Sequence, residues 1–308
     1  MGSGLTMNNN TVSPHKGKDQ QVAVVTGSST GMGYETSLAL ARNGFITYAT
    51  MRNLNKAENI KSVATKESLP IRIKQLNVTD DASVKTALQA ISSETGRIDL
   101  LVNNAGYALV GALEQTSMEE IKSQFETNFF GAIRVMQAII PIMRKQRSGK
   151  IVNITSMGGR ITTPLSSIYH GTKFALEGLS ESIQYELEPF GIKIILIEPG
   201  TTSSNFMMNL KMAAATKASG HDNHDNNANS QYKQIENNLL EAFNQMENIT
   251  RPSDVAKTIL QAVMSNNPNF RYVVGKDAAM LLEARKNMSD VEFRDLIKKQ
   301  IGIDRSGR

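Results

Sequence analysis

From Gln21 onward, short apolar runs alternate with segments whose apolar positions recur at helical spacing. Gln21–Gly27 reads as a buried strand, and Met32–Asn43 as a helix that Gly44 stops. Phe45–Met51, Ile71–Leu76 and Leu100–Asn103 read as further strands, with helices over Asn55–Ser68 and about Asp81–Thr95 between them. A long amphipathic stretch, Ser123–Arg147, precedes a strand at Lys150–Thr155. A helix over roughly Ser167–Glu188 then leads into the most apolar strand, Ile192–Glu198. Strand–helix alternation at this spacing predicts right-handed βαβ units. Because the strands are continuously apolar rather than alternating, both sheet faces should be covered. The expected fold class is therefore α/β, a doubly wound parallel sheet with helices on both faces.

The pattern fails between Thr201 and Asn248. Within that span Ser219–Gln231 has almost no apolar content and is expected to be mobile. An insertion of this length is expected to act as a lid over a site. A helix resumes at Pro252, which suits a first helical turn. Phe270–Val274 reads as a last strand, and a charged helical tail follows. No linker divides Gln21–Glu198. The expectation is a flexible segment over residues 1–20, then one catalytic domain over residues 21–308 carrying the insertion at about 201–248.

Composition removes several function classes. The net charge is +5, with Lys and Arg scattered rather than clustered, which argues against nucleic acid and anionic membranes as partners. There is no cysteine, so thiolate nucleophiles, disulfides and Cys-ligated metals are excluded. Ala132–Met143 is interrupted by Arg134, Gln137 and Pro141 and is too short for a membrane span. The first twenty residues are polar and lack the apolar core of a signal peptide. These features predict a soluble cytoplasmic protein. His221, Asp222, His224 and Asp225 lie in the low-complexity run, where nothing fixes a coordination geometry, so no metal site is expected.

Candidate chemistry begins where the first strand ends. Gly27, Gly31 and Gly33 punctuate the turn Thr26-Gly27-Ser28-Ser29-Thr30-Gly31-Met32-Gly33 that leads into the first helix. Glycine there permits positive φ and close backbone approach to a pyrophosphate, while the helix N-terminus offers unpaired N–H groups. Asn103-Asn104-Ala105-Gly106 closes the fourth strand, and Asn128 lies inside a helical segment. Ser156 follows the fifth main strand, at the carboxyl edge where open α/β sheets place ligands. Tyr169 and Lys173 are spaced i, i+4 and so share a helix face.

Taken in order, TGSSTGMG, NNAG, the isolated Asn, the Ser, Tyr169-His170-Gly171-Thr172-Lys173 and Pro199-Gly200 resemble the short-chain dehydrogenase/reductase family over roughly Gln21–Thr202. The strings ATMRN and EPGTTSSNF lean toward its hydroxysteroid- and retinol-dehydrogenase-like branch. The resemblance implies a Rossmann-like fold and an oxidoreductase that interconverts a small-molecule ketone or aldehyde and its alcohol. It implies cofactor contacts from Gly27, Ser29, Thr30, Gly31, Met32, Gly33, Asn77, Val78, Asn104, Ala105, Gly106, Pro199, Gly200 and Thr202, together with Tyr169 and Lys173. Asn77-Val78 departs from the Asp-Val that many members carry. On the substrate side it implies Ser156, Met157, Tyr169 and Phe206.

Reduction of a carbonyl creates an alkoxide, so a proton must arrive as the charge forms. A free tyrosine titrates near 10, too high for a base at neutrality, and a neighbouring ammonium lowers that value. Tyr169 is thus the expected general acid/base and Lys173 its tuner. Ser156 would stabilise the developing oxyanion. By resemblance, Lys173 would also bond the nicotinamide ribose and Asn128 would hold a water in a proton relay.

An acid at the end of the second strand would bind a ribose 2′-hydroxyl, but Tyr48-Ala49-Thr50-Met51-Arg52 contains none. Arg52, aided by Asn53 or the Thr50 hydroxyl, is placed to meet a 2′-phosphate. NADP(H) is favoured, with NAD(H) left open. The resemblance implies that the region after Thr202 caps the substrate, so the Met-rich stretch Asn205–Met212 is expected either as an adaptable cover over a hydrophobic substrate or as a core-packing helix. Helices Ser123–Arg147 and Ser167–Glu188 correspond to those that pair subunits in many members, so a homodimer or homotetramer is expected. The alternative is a non-catalytic dinucleotide-binding redox sensor.

Overall fold

A computed structural model describes residues 20–203, 211–213, 226–245 and 249–303 of the chain. The first half runs β1 (Val22–Val25), α1 (Gly31–Arg42), β2 (Ile46–Met51), α2 (Glu58–Lys66), β3 (Ile71–Gln75), α3 (Asp81–Thr95) and β4 (Leu100–Asn103). It continues through β5 (Leu109–Val110), α4 (Met118–Phe125), α5 (Gly131–Gln146), β6 (Gly149–Ile154), α6 (Ser167–Leu187) and β7 (Ile192–Pro199). After β8 (Lys211–Met212) come α7 (Asn226–Asn244), α8 (Pro252–Met264), β9 (Arg271–Val274), α9 (Lys276–Asn287) and α10 (Asp290–Ile301).

Seven strands form one sheet in the order β3-β2-β1-β4-β6-β7-β9, and every pairing in it is parallel. The doubly wound α/β arrangement expected from the alternation is therefore present. Each buried strand divides its side chains by the two-residue period of a strand. Val22 and Val24 of β1 pack with α3, α5 and α6 through residues such as Val84, Val135, Ile139 and Leu176. Ala23 and Val25 face the other layer, against Leu40 of α1 and Val255 and Ile259 of α8. This is why the strands read as unbroken apolar runs.

The chain winds outward from β1 to β3 and then returns to β4 on the other side of β1. That reversal opens a crevice at the carboxyl ends of β1 and β4, the position where such sheets bind ligands.

Two regions differ from the sequence reading. The amphipathic stretch expected over Ser123–Arg147 begins earlier, at Met118, where Ser117 and Glu120 form a reciprocal capping box. It is then interrupted by a π-helical turn over Glu126–Phe130. The run Ser219–Gln231, expected to be mobile, overlaps α7, which starts at Asn226. The cause lies beyond the low-complexity run. Ile235, Leu239 and Phe243 repeat at i, i+4, and Leu239 is buried against the tail helices in a third apolar cluster with Leu281, Phe293, Ile297 and Ile301. That cluster stands over the carboxyl edge of the sheet. Among the described residues, no helix is long and apolar enough to cross a membrane.

Candidate active site

The glycine turn after β1 is locked to the turn after β4. Asn104 Nδ2 donates to the carbonyls of Thr26 (2.9 Å) and Gly27 (3.1 Å). In return, the backbone N–H groups of Asn104 and Ala105 donate to Thr26 Oγ1 at 3.0 and 3.1 Å. Gly27 and Gly31 have φ of +69° and +61°, the left-handed region that favours glycine. A Cβ on Gly27 would lie 2.9 Å from Ala105 Cα, and one on Gly33 would collide with the Asn104 amide and the Gly27 carbonyl.

At the start of α1, Thr30 makes no side-chain cap and the first turn carries no acidic residue. Three other helices, α3, α4 and α10, are capped by Asp80, Ser117 and Ser289. The α1 N-terminus thus keeps its N–H groups and positive dipole end available to a phosphate. Ser29 is half-buried and Thr30 exposed beside it, with Met32 half-buried where the turn meets the apolar cavity.

Past β2, Arg52 is exposed, and its carbonyl accepts from Gln75 Nε2 at 3.1 Å. The two helpers expected for it differ, since the Thr50 hydroxyl is turned inward while the Asn53 side chain uses only its oxygen locally. Thr50 is fully buried with its hydroxyl donating to Val25 O at 3.0 Å, and the Asn53 carbonyl caps Asn55 N at 3.0 Å. Asn77 Oδ1 is also engaged locally, accepting from the backbone N–H and the hydroxyl of Thr79 at 3.3 and 3.1 Å. Val78 is buried beneath α5, where it packs against Gly131.

Ser156, Tyr169 and Lys173 converge at the carboxyl edge beyond β6. The Ser156 hydroxyl donates to Pro199 O (3.4 Å) and accepts from Gly158 N (3.0 Å). It also hydrogen-bonds the Tyr169 phenol, which moderates the effect of burial on that group. Burial still pushes the Tyr169 pKa up to about 12. One helical turn on, Lys173 Nζ stands 5.7 Å from the Tyr169 ring centroid and donates to Ile154 O at 2.8 Å. Its ammonium is buried, which lowers its pKa to about 8 against the opposing pull of Glu177.

Between them, His170 fastens the loop after Ser156 to α6. Its Nδ1 donates to Gly158 O at 2.8 Å and its Nε2 accepts from Thr163 N at 2.9 Å, and burial holds the imidazole below its ordinary pKa. Asn128 lies in the π-helical turn with a fully engaged side chain. Its Oδ1 accepts from Tyr107 N (3.0 Å), and its Nδ2 donates to Tyr107 O (2.8 Å) and Thr172 Oγ1 (3.2 Å).

Several residues of the site had not been singled out in the sequence. Glu177, one turn beyond Lys173, and Glu198 of β7 are both buried. Arg271 reaches them at 3.0 and 3.2 Å, Arg160 reaches Glu198 at 3.4 Å, and Glu181 closes the cluster 2.8 Å from Arg271. A carboxylate inside the apolar strand Ile192–Pro199 was the available signal for Glu198. Asp277, in the first turn of α9, accepts from Thr201 N at 2.7 Å and fills the space above Gly200 and Gly275 where any Cβ would collide. It fixes the turn after β7, including the buried Thr202. No sequence pattern pointed to it.

Ser156, Met157, Tyr169 and Pro199 line a cavity of about 150 Å³. Its roof comes from Leu239 and Phe243 of α7, within the insertion expected at about 201–248, together with Leu281, Ile297 and Ile301 of the tail helices. Phe206 and residues 205–210 lie outside the described residues, as do His221, Asp222, His224 and Asp225. Lys211–Met212 pairs in parallel with β5. Among the described residues, no group of three His, Asp or Glu is placed to hold a metal.

The profile of the short chain dehydrogenase family matches residues 21–215. A 3-ketodihydrosphingosine reductase of Bacteroides thetaiotaomicron is 36% identical over 268 residues, 87% of this chain and 92% of its own length. Retinol dehydrogenase 8 of Bos taurus is 34% identical over 258 residues, 82% of this chain and 80% of its own. Among solved structures, a short-chain dehydrogenase from Streptomyces avermitilis superimposes with a TM-score of 0.73 at 29% identity, covering 93% of this chain and 97% of its own.

The buried ammonium gives a pH-dependent test. Below about pH 8 the folded and unfolded chains both hold the Lys173 proton, and the burial penalty is fully present. As pH rises the folded chain releases the proton first, so the unfolded chain binds more protons and stability rises. Relative to Lys173→Met, the parent should gain about 2 kcal/mol between pH 7 and pH 10. Urea midpoints of both proteins at the two pH values measure this, and a constant difference would contradict the assignment.

Proposed function

The chain belongs to the short chain dehydrogenase family, and from that premise we propose that it is an NADP(H)-dependent oxidoreductase in which Tyr169 is the general acid/base and a hydrophobic ketone or aldehyde is exchanged with its alcohol. Ser156 and Tyr169 at one end of an apolar cavity, with the Lys173 ammonium buried beside the Tyr169 ring, carry this reading. Residues 21–308 act as one catalytic domain in it. Its assembly is a homodimer or homotetramer formed through α5 and α6, on whose flanks Phe130 and Tyr185 are exposed.

The residues present fit a dinucleotide. The glycine turn is a cradle that any Cβ would fill, and the uncapped α1 N-terminus suits a pyrophosphate. Asn104, Ala105 and Gly106 border the same crevice, and Pro199, Gly200 and Thr202 form its other wall. Arg52 suits a 2′-phosphate, since the end of β2 carries no carboxylate to repel one. When bound, the nicotinamide supplies or accepts the hydride.

The protein's own part is proton transfer and charge stabilisation. Tyr169 gives its phenolic proton to the oxygen of the reduced carbonyl, and the cation of Lys173 stabilises the phenolate left behind. Ser156 aims its hydroxyl at the same oxygen. Asn128 acts by position. Its side chain joins the turn before the catalytic helices to Thr172, so a solvent contact in a proton relay falls to the main chain of the π-helical turn. The complete Tyr–Lys–Ser set runs against a non-catalytic sensor.

NADPH oxidation over a panel of apolar ketones and aldehydes tests the reading. Tyr169→Phe should lower kcat by at least about a hundredfold while NADPH still binds. A parent that binds NADPH and turns over no carbonyl would overturn it. Arg52→Asp removes a charge-assisted contact and adds repulsion, so kcat/KM for NADPH should fall at least about tenfold with NADH far less affected. An unchanged ratio of the two cofactors would remove the argument for NADP(H).

A further inference from the structure

A cavity of about 150 Å³ is smaller than the roughly 300–1,000 Å³ usual for a ligand site. It does not stand alone. A groove of about 560 Å³ adjoins it, and Ile161, Thr163 and Ile297 line both spaces. The groove runs between the loop after Ser156, α6 and the two tail helices. Its lining is amphipathic. Phe174, Phe293 and Ile303 give it an apolar floor, while Arg160, Arg285, Arg294 and Lys298 stand around it with Asp290 as the single carboxylate among the lining residues.

This concentration of cations contrasts with the scattered charge of the whole chain, so it calls for a local cause. The acidic partners of these arginines do not cancel it. Arg285 meets Asp290 at 2.7 Å and Arg294 meets Asp295 at 3.1 Å, but both carboxylates are largely exposed. Such surface pairs contribute only about 0–1 kcal/mol, so an incoming anion displaces them readily. Arg160 lies 3.4 Å from Glu198, a carboxylate it shares with Arg271.

We propose that the substrate is amphipathic, with its carbonyl or alcohol carbon at Tyr169, an apolar chain passing Ile161 and Ile297, and a terminal carboxylate or phosphate held in the groove by Arg160, Arg285, Arg294 and Lys298. This deepens the reading of Tyr169 as the reacting end and rests on it for direction. The anion-binding groove can nevertheless be tested without turnover. The apolar floor fits the chain, and the guanidinium groups match either oxyanion in geometry.

Calorimetric titration of the full chain, with and without NADPH, should compare dodecanoate, dodecyl phosphate and dodecanol. At low ionic strength at least one anion should bind about tenfold or more tighter than the alcohol, and the preference should shrink severalfold at ~0.5 M salt, where charges are screened within a few ångströms. The tighter of the two anions identifies the head group. In the Arg294→Gln/Lys298→Gln double variant the ratio of anion to alcohol affinity should fall toward unity, with circular dichroism confirming the fold. Equal affinities in the parent, or a preference that survives both salt and the double substitution, would overturn the proposal. A chain that prefers the anion yet reduces no ketone would instead defeat the catalytic reading and leave the groove standing.

Discussion

The feature on which the rest of the site depends is the buried ammonium of Lys173. A charge taken out of water is tolerated only where other groups replace its hydration. Here one hydrogen bond goes to the Ile154 carbonyl, at the carboxyl end of β6, and the remaining compensation is electrostatic. Glu177 provides it from one helical turn away, and its own burial makes it dependent on Arg271. The cluster behind Lys173 contains three carboxylates, Glu177, Glu181 and Glu198, against two guanidiniums, Arg160 and Arg271. Lys173 brings that balance to neutrality. The ammonium and Glu177 attract one another, which offsets part of the burial penalty that lowers the Lys173 pKa. The guanidinium groups of Arg160 and Arg271 account for Glu198, a buried carboxylate within the apolar strand β7.

A comparable dependence ties the two cofactor turns together. Thr26 and Asn104 exchange hydrogen bonds across the gap between β1 and β4, so neither turn can shift without the other. The glycines at Gly27 and Gly33 are required by that closeness, because each faces a backbone or amide atom of the opposite turn. On the far wall Asp277 does the same for Gly200 and Thr201 from the start of α9. Rigid turns on a rigid sheet edge suit a site whose reacting groups must be held in place before ligand arrives.

The sheet, its order of elements and the Tyr–Lys–Ser constellation were legible in the sequence because each rests on a short-range pattern. Continuous apolar strands, glycine at a strand–helix junction and i, i+4 spacing all survive in one dimension. What could not be read depends on pairs far apart in the chain. Thr50 looked available to the cofactor, yet its hydroxyl turns inward to Val25, because β2 lies beside β1. Asn128 looked like an isolated polar residue, and only the fold shows its amide closed on Tyr107 and Thr172. The roof of the cavity was sought in the Met-rich stretch near Phe206. Part of the described roof is Leu281, Ile297 and Ile301 of a tail that reads as charged, because its apolar side chains are confined to narrow stripes such as the i, i+4 series Phe293–Ile297–Ile301.

The electrostatic state of the site also bears on direction. Burial pushes the Tyr169 pKa up to about 12, so at neutral pH the phenol holds its proton. A protonated phenol hydrogen-bonded to Ser156 can donate to a carbonyl oxygen, whereas alcohol oxidation requires the phenolate. The Ser156 hydrogen bond favours that phenolate, and the nearby Lys173 ammonium adds to it while it holds its proton, below about pH 8. The two values therefore restrict proton withdrawal from both sides. Lower pH keeps the cation but leaves the phenol protonated, and higher pH favours the phenolate but removes the cation. Before any ligand adds charge to the crevice, burial keeps the proton on the Tyr169 phenol, and the Ser156 hydrogen bond offsets only part of that hold.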